Sequence, residues 1–329
     1  MKLAIIGGGS WGTALAIVLA PRSESIVLWA HEAGLAGRMA HSRVNDIFLP
    51  GFQLPANVQV VSGSLGNALA GADIVLGVMP SHHARGIYAA MLPHLTPSTI
   101  LVSATKGLEQ GSLLRMSEVI GQVVRTSRIA VLSGPTFARE VAAGNPTAVA
   151  VASTTPEVAR CVQEAFSGPT FRLYTNADPI GVEVGAALKN VIAIGAGICE
   201  GLGMGHNPTA ALITRGLAEI TRLATAMGGQ AKTLAGLAGL GDLVLTCTGG
   251  LSRNRYVGKE LGCGRPLDEI LGSMRMVAEG VETCASAVAL GEKFGVDLPI
   301  IQQMHAVTSG GKPPRDAVRD LMERTLKGE

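Results

Sequence analysis

Aromatic side chains are scarce in this chain: Trp, Tyr and Phe together make up 3% of its 329 residues. A core built from it must be aliphatic, and 43 glycines imply tight turns and close backbone packing. An excess of one charge is also lacking, since 27 Lys and Arg face 25 Asp and Glu for a formal net charge of +2. A nucleic-acid partner would call for a clustered basic face, so that class is set aside. Cysteine is sparse and unpatterned. Cys161, Cys199, Cys247, Cys263 and Cys284 form no CxxC pair and no Cys/His spacing of a zinc site. Free thiols in a reducing cytosol, and no metal, are therefore expected. The N-terminus lacks a signal-peptide layout and opens straight into a strand-like run. The most apolar segment, 180–200, carries Glu183, Lys189 and Glu200, so no unbroken run of about 20 apolar residues is expected to span a bilayer. The length suggests roughly two domains of about 150 residues each.

What is present begins with Lys2-Leu-Ala-Ile-Ile, an aliphatic run suited to a central parallel strand covered on both faces. It flows into Gly7-Gly-Gly9-Ser10-Trp11-Gly12, a GxGxxG turn, then a helix ending before Pro21 and a second strand at 25–29. This strand–turn–helix–strand setting is the one a dinucleotide fingerprint requires. Gly7 makes the tight turn, Gly9 lets a pyrophosphate approach the backbone, and Gly12 lets the helix pack on the strand. The free amides and positive dipole end of that helix favour phosphate. After the second strand, Glu32 could bond the ribose hydroxyls of NAD, or His31 with Arg38 could meet the 2′-phosphate of NADP. Both cofactors stay open. Further strands are expected at 58–61, 72–78, 99–102, 128–132, 148–151 and 170–174, with 50–55 as an ordered loop. Ligands in such sheets bind outside the C-terminal strand ends. Gly7–Ser10, His31, Pro80–Ser81, Lys106 and Gly134–Thr136 all stand there.

A change of rhythm near Asp178-Pro179 marks the expected domain boundary, giving 1–178 and 179–329. Beyond it the pattern predicts helices at 180–200, 208–227, 267–274, 280–294, 299–308 and 314–326. The first is apolar all round, as befits a buried helix, yet it carries Lys189 and Asn190. A buried Lys needs a partner, and desolvation lowers its pKa towards that of a useful proton carrier. The plainer alternative is a side chain that snorkels to the helix rim. Asp242 and Thr246 are one helical turn apart and can share a face. Ser252-Arg253-Asn254-Arg255 reads as a polar turn, suited to phosphate through the guanidinium fork or, more simply, to solubility.

Six blocks in order resemble the bacterial NAD(P)-dependent sn-glycerol-3-phosphate dehydrogenases: GGGSWGTALA, SATKGLE, SGPTFARE, GVEVGAALKNVIAIGAGICEGLGMGHN, AGLGDLVLTCTGGLSRNRYVG and MVAEGVET. The resemblance covers essentially the whole chain. It implies an α/β plus all-α protein: an N-terminal Rossmann-type domain, mostly parallel with helices on both faces, and a C-terminal helical substrate domain like that of 6-phosphogluconate dehydrogenase. It implies reduction of dihydroxyacetone phosphate to glycerol 3-phosphate for phospholipid synthesis, in a cytoplasmic homodimer without nucleic-acid or membrane partners. By the same resemblance Lys189 is the proton carrier, Asp242 orients it, Lys106 touches cofactor and substrate, and Asn190 and Thr246 bond the substrate. Arg253 and Asn254 hold the phosphate, and Gly134, Thr136 and Ser252 line the pocket. Ser10, Trp11, His31, Ala138, Val277 and Glu279 match cofactor contacts, with Arg253 near the cofactor as well. Thr136 stands where the family often has Ser, and His31 where Arg is common. The rival readings are a β-hydroxyacid dehydrogenase relative, a non-catalytic dinucleotide sensor, and a membrane flavoprotein acting on the same substrate.

Overall fold

A computed structural model describes residues 1–274, 278–326 and 328. The chain divides into two compact units, Met1–Glu183 and Val184–Glu329.

The first unit contains strands β1 (Lys2–Ile6), β2 (Ser25–Trp29), β3 (Val44–Asn45), β4 (Leu49–Gln53), β5 (Val58–Val61), β6 (Ile74–Gly77), β7 (Ile100–Ser103), β8 (Ile129–Ser133), β9 (Thr147–Ala152) and β10 (Phe171–Asn176). Eight of them form one sheet in the order β5-β2-β1-β6-β7-β8-β9-β10. The strands from β5 to β8 run parallel. Their order reverses at β1 and β6, and such a reversal opens a ligand crevice outside the carboxyl ends of the strands. The last two strands depart from the expected run. The β8–β9 pairing is antiparallel, and β10 follows the direction of β9. A second departure concerns 50–55, expected as loop, where β4 pairs with β3 in a small antiparallel hairpin.

Period-two alternation builds the two faces of the sheet. Leu3 and Ile5 join one aliphatic cluster with α1 (Ser10–Leu19), α2 (Ala33–Ser42) and, further on, α7 (Pro156–Phe166). Ala4 and Ile6 join the other with α3 (Leu65–Leu69), α4 (Ser81–Met91) and α5 (Met116–Val124). Short helix α6 (Ala138–Ala142) packs along α1.

The next helix, α8 (Pro179–Gly201), contains the division between the units. Contrary to the expectation drawn from its charges, it is long and apolar enough to cross a membrane, with a mean hydropathy of 1.5, but its whole apolar window is buried within the protein. Glu183 near its start is no solvent-seeking interruption. It accepts bonds from Arg115 Nη1 at 2.6 Å, Ser117 N at 2.8 Å and Ser117 Oγ at 2.6 Å. Burial raises its pKa, and Arg115 works against that rise.

The second unit continues with α9 (His206–Ala226), α10 (Ala231–Leu234), a π turn at Leu237–Gly241, α11 (Asp242–Thr248), α12 (Arg253–Gly262), α13 (Leu267–Gly272), α14 (Glu279–Phe294), α15 (Pro299–Ser309) and α16 (Pro314–Met322). No strand occurs among its described residues. Helices α10 and α12 were not anticipated, and α11 only as the helical turn that carries Asp242 and Thr246. Glycines set how closely α12 approaches α8. A Cβ on Gly258 would lie 1.9 Å from the Ile194 carbonyl oxygen, and one on Gly197 would lie 2.0 Å from that of Arg255.

Candidate active site

In the first unit the β1–α1 turn is shaped by backbone constraints that only glycine satisfies. Gly7 has φ +130°, and a Cβ there would come within 2.6 Å of the Val78 carbonyl oxygen beyond β6. A Cβ on Gly12 would sit 1.9 Å from the Gly7 carbonyl oxygen, so α1 rests directly on the turn. Gly9 has open space around it and no side chain capping α1. The first amides of α1 therefore have no side-chain cap, and a helix N-terminus in that state suits an anion. The indole Nε1 of Trp11 in that turn is a buried donor with no partner among the described residues. Ser10 opens the helix. A pyrophosphate-bearing group matches this set: open backbone, orphan donors and a positive helix end.

At the edge of β2, Trp29 donates its indole N–H to the Gly63 carbonyl at 3.1 Å, and the exposed His31 ring lies 5.8 Å from the Trp29 ring. Glu32 is exposed and precedes α2. Arg38, considered for a 2′-phosphate, bonds Asp46 at 3.0 Å and the Gly34 carbonyl at 3.3 Å.

Beyond β7 and β8, Lys106 Nζ donates to the Gly134 carbonyl and to Thr136 Oγ1, both at 3.0 Å. Thr136 also donates to the Gly134 carbonyl at 3.0 Å. A Cβ on Gly134 would strike the Val149 backbone at 2.9 Å. Residues 28 and more positions apart in sequence thus form one small polar group. Ala138 begins α6, which packs on α1.

In the second unit Lys189 is 5% exposed and Asp242 1%. Lys189 Nζ bonds Asp242 Oδ1 and, at 3.0 Å, Thr246 Oγ1. Thr246 in turn donates to the Asp242 backbone carbonyl at 2.6 Å. The amine does not snorkel. It is held by a carboxylate and a hydroxyl on α11, a paired arrangement of the kind a buried ammonium requires. A π turn at Leu237–Gly241 leads into Asp242, and such turns are frequent at functional sites. Gly185 and Gly239 allow the approach: a Cβ on Gly185 would lie 2.8 Å from the Ala238 carbonyl oxygen, and one on Gly239 would lie 2.1 Å from that of Leu234. Beside this cluster the Cys247 thiol is pushed up to about 12 by burial, which outweighs the nearby Lys189 charge, so it is no nucleophile here.

Residues 252–255 are not a turn. Ser252 caps α12, its hydroxyl accepting from Arg255 N at 3.2 Å, and Arg253 and Asn254 form the first helical turn. Asn254 Oδ1 accepts from Gly280 N at 2.9 Å, which assigns its oxygen to that contact. Gly280 also abuts Asn190, where a Cβ would lie 2.7 Å from the Asn190 carbonyl oxygen. Asn190, Asn254 and the start of α14, which includes Glu279, are thereby brought together. Burial lowers the Arg253 pKa, and the Glu279 charge opposes the shift. Val277 lies outside the described residues.

Sequence reasoning left Arg115 and Asn45 unremarked and took Glu183 only as an interruption of an apolar run. All three are buried polar groups with at least one partner far off along the chain, beside local contacts of Arg115 with Ser117 and Glu118 and of Asn45 within its own hairpin. A lone charge inside an apolar run, as at Glu183, was the one available signal.

Two family models match. That of the NAD-dependent glycerol-3-phosphate dehydrogenase N-terminus spans residues 2–159, and that of the C-terminus of the same family spans 178–319. The chain is 58% identical over 328 residues to the glycerol-3-phosphate dehydrogenase [NAD(P)+] of Koribacter versatilis, covering 98% of this chain and 97% of that one. Its fold matches the crystal structure of glycerol-3-phosphate dehydrogenase from Coxiella burnetii with a TM-score of 0.95 at 40% identity, over 98% and 99% of the two chains. The glycerol-3-phosphate dehydrogenase of Saccharomyces cerevisiae matches with a TM-score of 0.84 at 27% identity, over 98% and 99%.

Proposed function

The chain belongs to the NAD-dependent glycerol-3-phosphate dehydrogenase family, and from that premise we propose that it interconverts dihydroxyacetone phosphate and sn-glycerol 3-phosphate with Lys189 as the proton carrier. The observation that carries this reading is the buried Lys189–Asp242–Thr246 cluster. Bound NAD(P)H supplies the hydride. As the C2 carbonyl carbon of the substrate gains that hydride, its oxygen takes a proton from the Lys189 ammonium, leaving a neutral amine that solvent recharges. In the oxidising direction the amine removes the proton. Before transfer the ammonium polarises the ketone, so charge growing on oxygen meets a donor already in place. Asp242 keeps the ammonium charged and oriented, countering the loss of charge that burial alone would bring.

Asn190 and Thr246 add hydrogen bonds to the substrate. Arg253 and Asn254 hold its phosphate, and Ser252, Gly134 and Thr136 complete the lining. Fixing the phosphate away from C2 sets the ketone at reacting distance, which can supply several kcal/mol of barrier reduction. Lys106 touches substrate and cofactor. Gly7, Gly9, Ser10, Trp11, Gly12, His31, Ala138, Val277, Glu279 and Arg253 serve the cofactor, NAD or NADP. In this proposal residues 1–178 act as the dinucleotide-binding domain and 179–329 as the substrate domain. A cytoplasmic homodimer that feeds phospholipid synthesis is part of the same reading, and light scattering of the purified chain tests the dimer.

The direct test is absorbance at 340 nm with dihydroxyacetone phosphate and each reduced cofactor in turn, against small 2-keto and 3-keto acids. Loss of absorbance with the phosphate ester alone supports the reading. Oxidation of NAD(P)H by the keto acids and not by the ester would replace it with the hydroxyacid reading.

A further inference from the structure

Asn45 lies at the end of β3 and is 0% exposed. Its hydrogen-bonding groups are engaged: Nδ2 donates to the Gly8 carbonyl at 2.9 Å and to Thr13 Oγ1 at 2.8 Å, and Oδ1 accepts from Phe48 N at 3.0 Å. The hairpin is built to deliver this side chain. Its register slips between Val44 and Asn45, and such an irregularity re-aims the residue that carries it. Arg38 of α2 holds the neighbouring Asp46, and the Arg43 guanidinium reaches the Val58 carbonyl at 2.8 Å and that of Leu54 at 3.2 Å.

The Gly8 carbonyl belongs to the peptide whose N–H is that of Gly9. In a planar trans peptide these two groups point in opposite directions. A Gly8 oxygen held by Asn45 therefore turns the Gly9 N–H the opposite way, away from Asn45. Glycine on both sides gives this peptide little resistance to flipping. A flipped peptide would present a carbonyl oxygen, in place of a donor, to an incoming phosphate.

We propose that Asn45 is a positioning residue that locks the Gly8–Gly9 peptide with its amide facing the cofactor pyrophosphate. The proposal rests on the dinucleotide reading of the glycine turn. It makes the hairpin at 44–53 part of the cofactor-binding apparatus, though it touches the turn from behind.

Asn45→Asp keeps the size of the side chain and replaces both donors with a carboxylate that repels the Gly8 oxygen. Calorimetric binding of NADH and ADP-ribose is expected to weaken about tenfold or more, as for the loss of a buried hydrogen bond and the repulsion that replaces it. Competition by adenosine, which has no phosphate, is expected to stay unchanged. In turnover the KM for NADH rises, while kcat at saturation stays within about twofold of the unaltered enzyme. Thr13→Val, which spares the Asn45–Gly8 bond, is expected to change ADP-ribose binding by less than about threefold. Thermal melting monitors folding, and Asn45→Ser, too short to reach both partners, replaces Asn45→Asp if the latter does not fold. A folded variant that binds ADP-ribose as tightly as the unaltered chain overturns the lock. So does a loss of adenosine affinity by the same factor as ADP-ribose. If the unaltered chain binds neither NADH nor ADP-ribose, the dinucleotide reading falls and takes the lock with it.

Discussion

The half-buried glycine turn after β1 and the buried lysine cluster on α8 are both polar constructions in an aliphatic protein, and they are made in opposite ways. The turn works through backbone. Gly7 and Gly12 exist to bring peptide groups into positions that a Cβ would block, and the donors it offers are amides and one indole N–H. The cluster works through side chains. Lys189 alone would be an uncompensated buried charge, and it becomes useful because Asp242 and Thr246, more than 50 positions away, meet it. A backbone site tolerates many sequences around its glycines, whereas a charge cluster depends on every member, because removing one partner strands the other.

The largest expected effect comes from breaking the cluster at its amine. Lys189→Ala should lower turnover by about 10²–10⁴-fold, with cofactor affinity kept near its original value. Near-normal turnover would remove Lys189 from proton transfer. Because Asp242 is then left buried without its ammonium, melting temperature should fall too, and adding Asp242→Asn should recover stability but not turnover. That double variant separates the chemical role of the pair from its structural cost.

The contrast is sharpened by two glycines with equally little space. Gly12→Ala and Gly258→Ala would each place a Cβ 1.9 Å from a backbone carbonyl oxygen, of Gly7 and Ile194 respectively. Both should destabilise by about 1–3 kcal/mol or more, as overpacking does. Their functional marks should differ. Gly12→Ala should weaken NADH binding, and Gly258→Ala, which pushes α12 off α8, should raise the KM for dihydroxyacetone phosphate. Identical kinetic signatures would mean that the glycine turn and α12 do not divide the labour as proposed.

A smaller effect is expected at the phosphate clamp. Arg253→Ala should mainly raise the KM for the phosphorylated substrate, by roughly 10–100-fold if charge-assisted bonds worth about 1.5–3 kcal/mol are lost. An unchanged KM in steady-state kinetics would place the phosphate elsewhere.

The smallest effect lies outside both regions. Glu219 accepts from Ile300 N at 2.8 Å and Ile301 N at 3.2 Å at the start of α15, and burial pushes its pKa up to about 7 despite those bonds and the Arg222 charge. A carboxyl group whose folded pKa is raised binds its proton more tightly when folded. Its contribution to stability is complete below about 4.5 and is lost as pH rises through about 7. Relative to Glu219→Gln, the original chain should lose at most about 1.4 kcal/mol per pH unit across that window in denaturant melts. Parallel pH profiles for the two proteins would show that the carboxyl is not held in this way.

The amino-acid order by itself determined the strand–turn–helix start, the alternation of strands and helices, the all-helical second half and the buried character of α8. These are local or periodic properties, carried by glycine positions and by spacings of two and 3.6 residues. It also brought Lys189, Asp242, Thr246, Lys106 and Thr136 forward as polar residues in telling places. Only the tertiary structure decided that the Lys189 amine turns inward to Asp242, that Ser252 caps a helix in place of a turn, that β9 reverses direction, and that Glu183 and Asn45 are buried anchors. Each of those outcomes depends on partners far apart along the chain or on how closely two backbones approach. Neither leaves a periodic trace in sequence, because a buried polar group is explained only by what it finally touches.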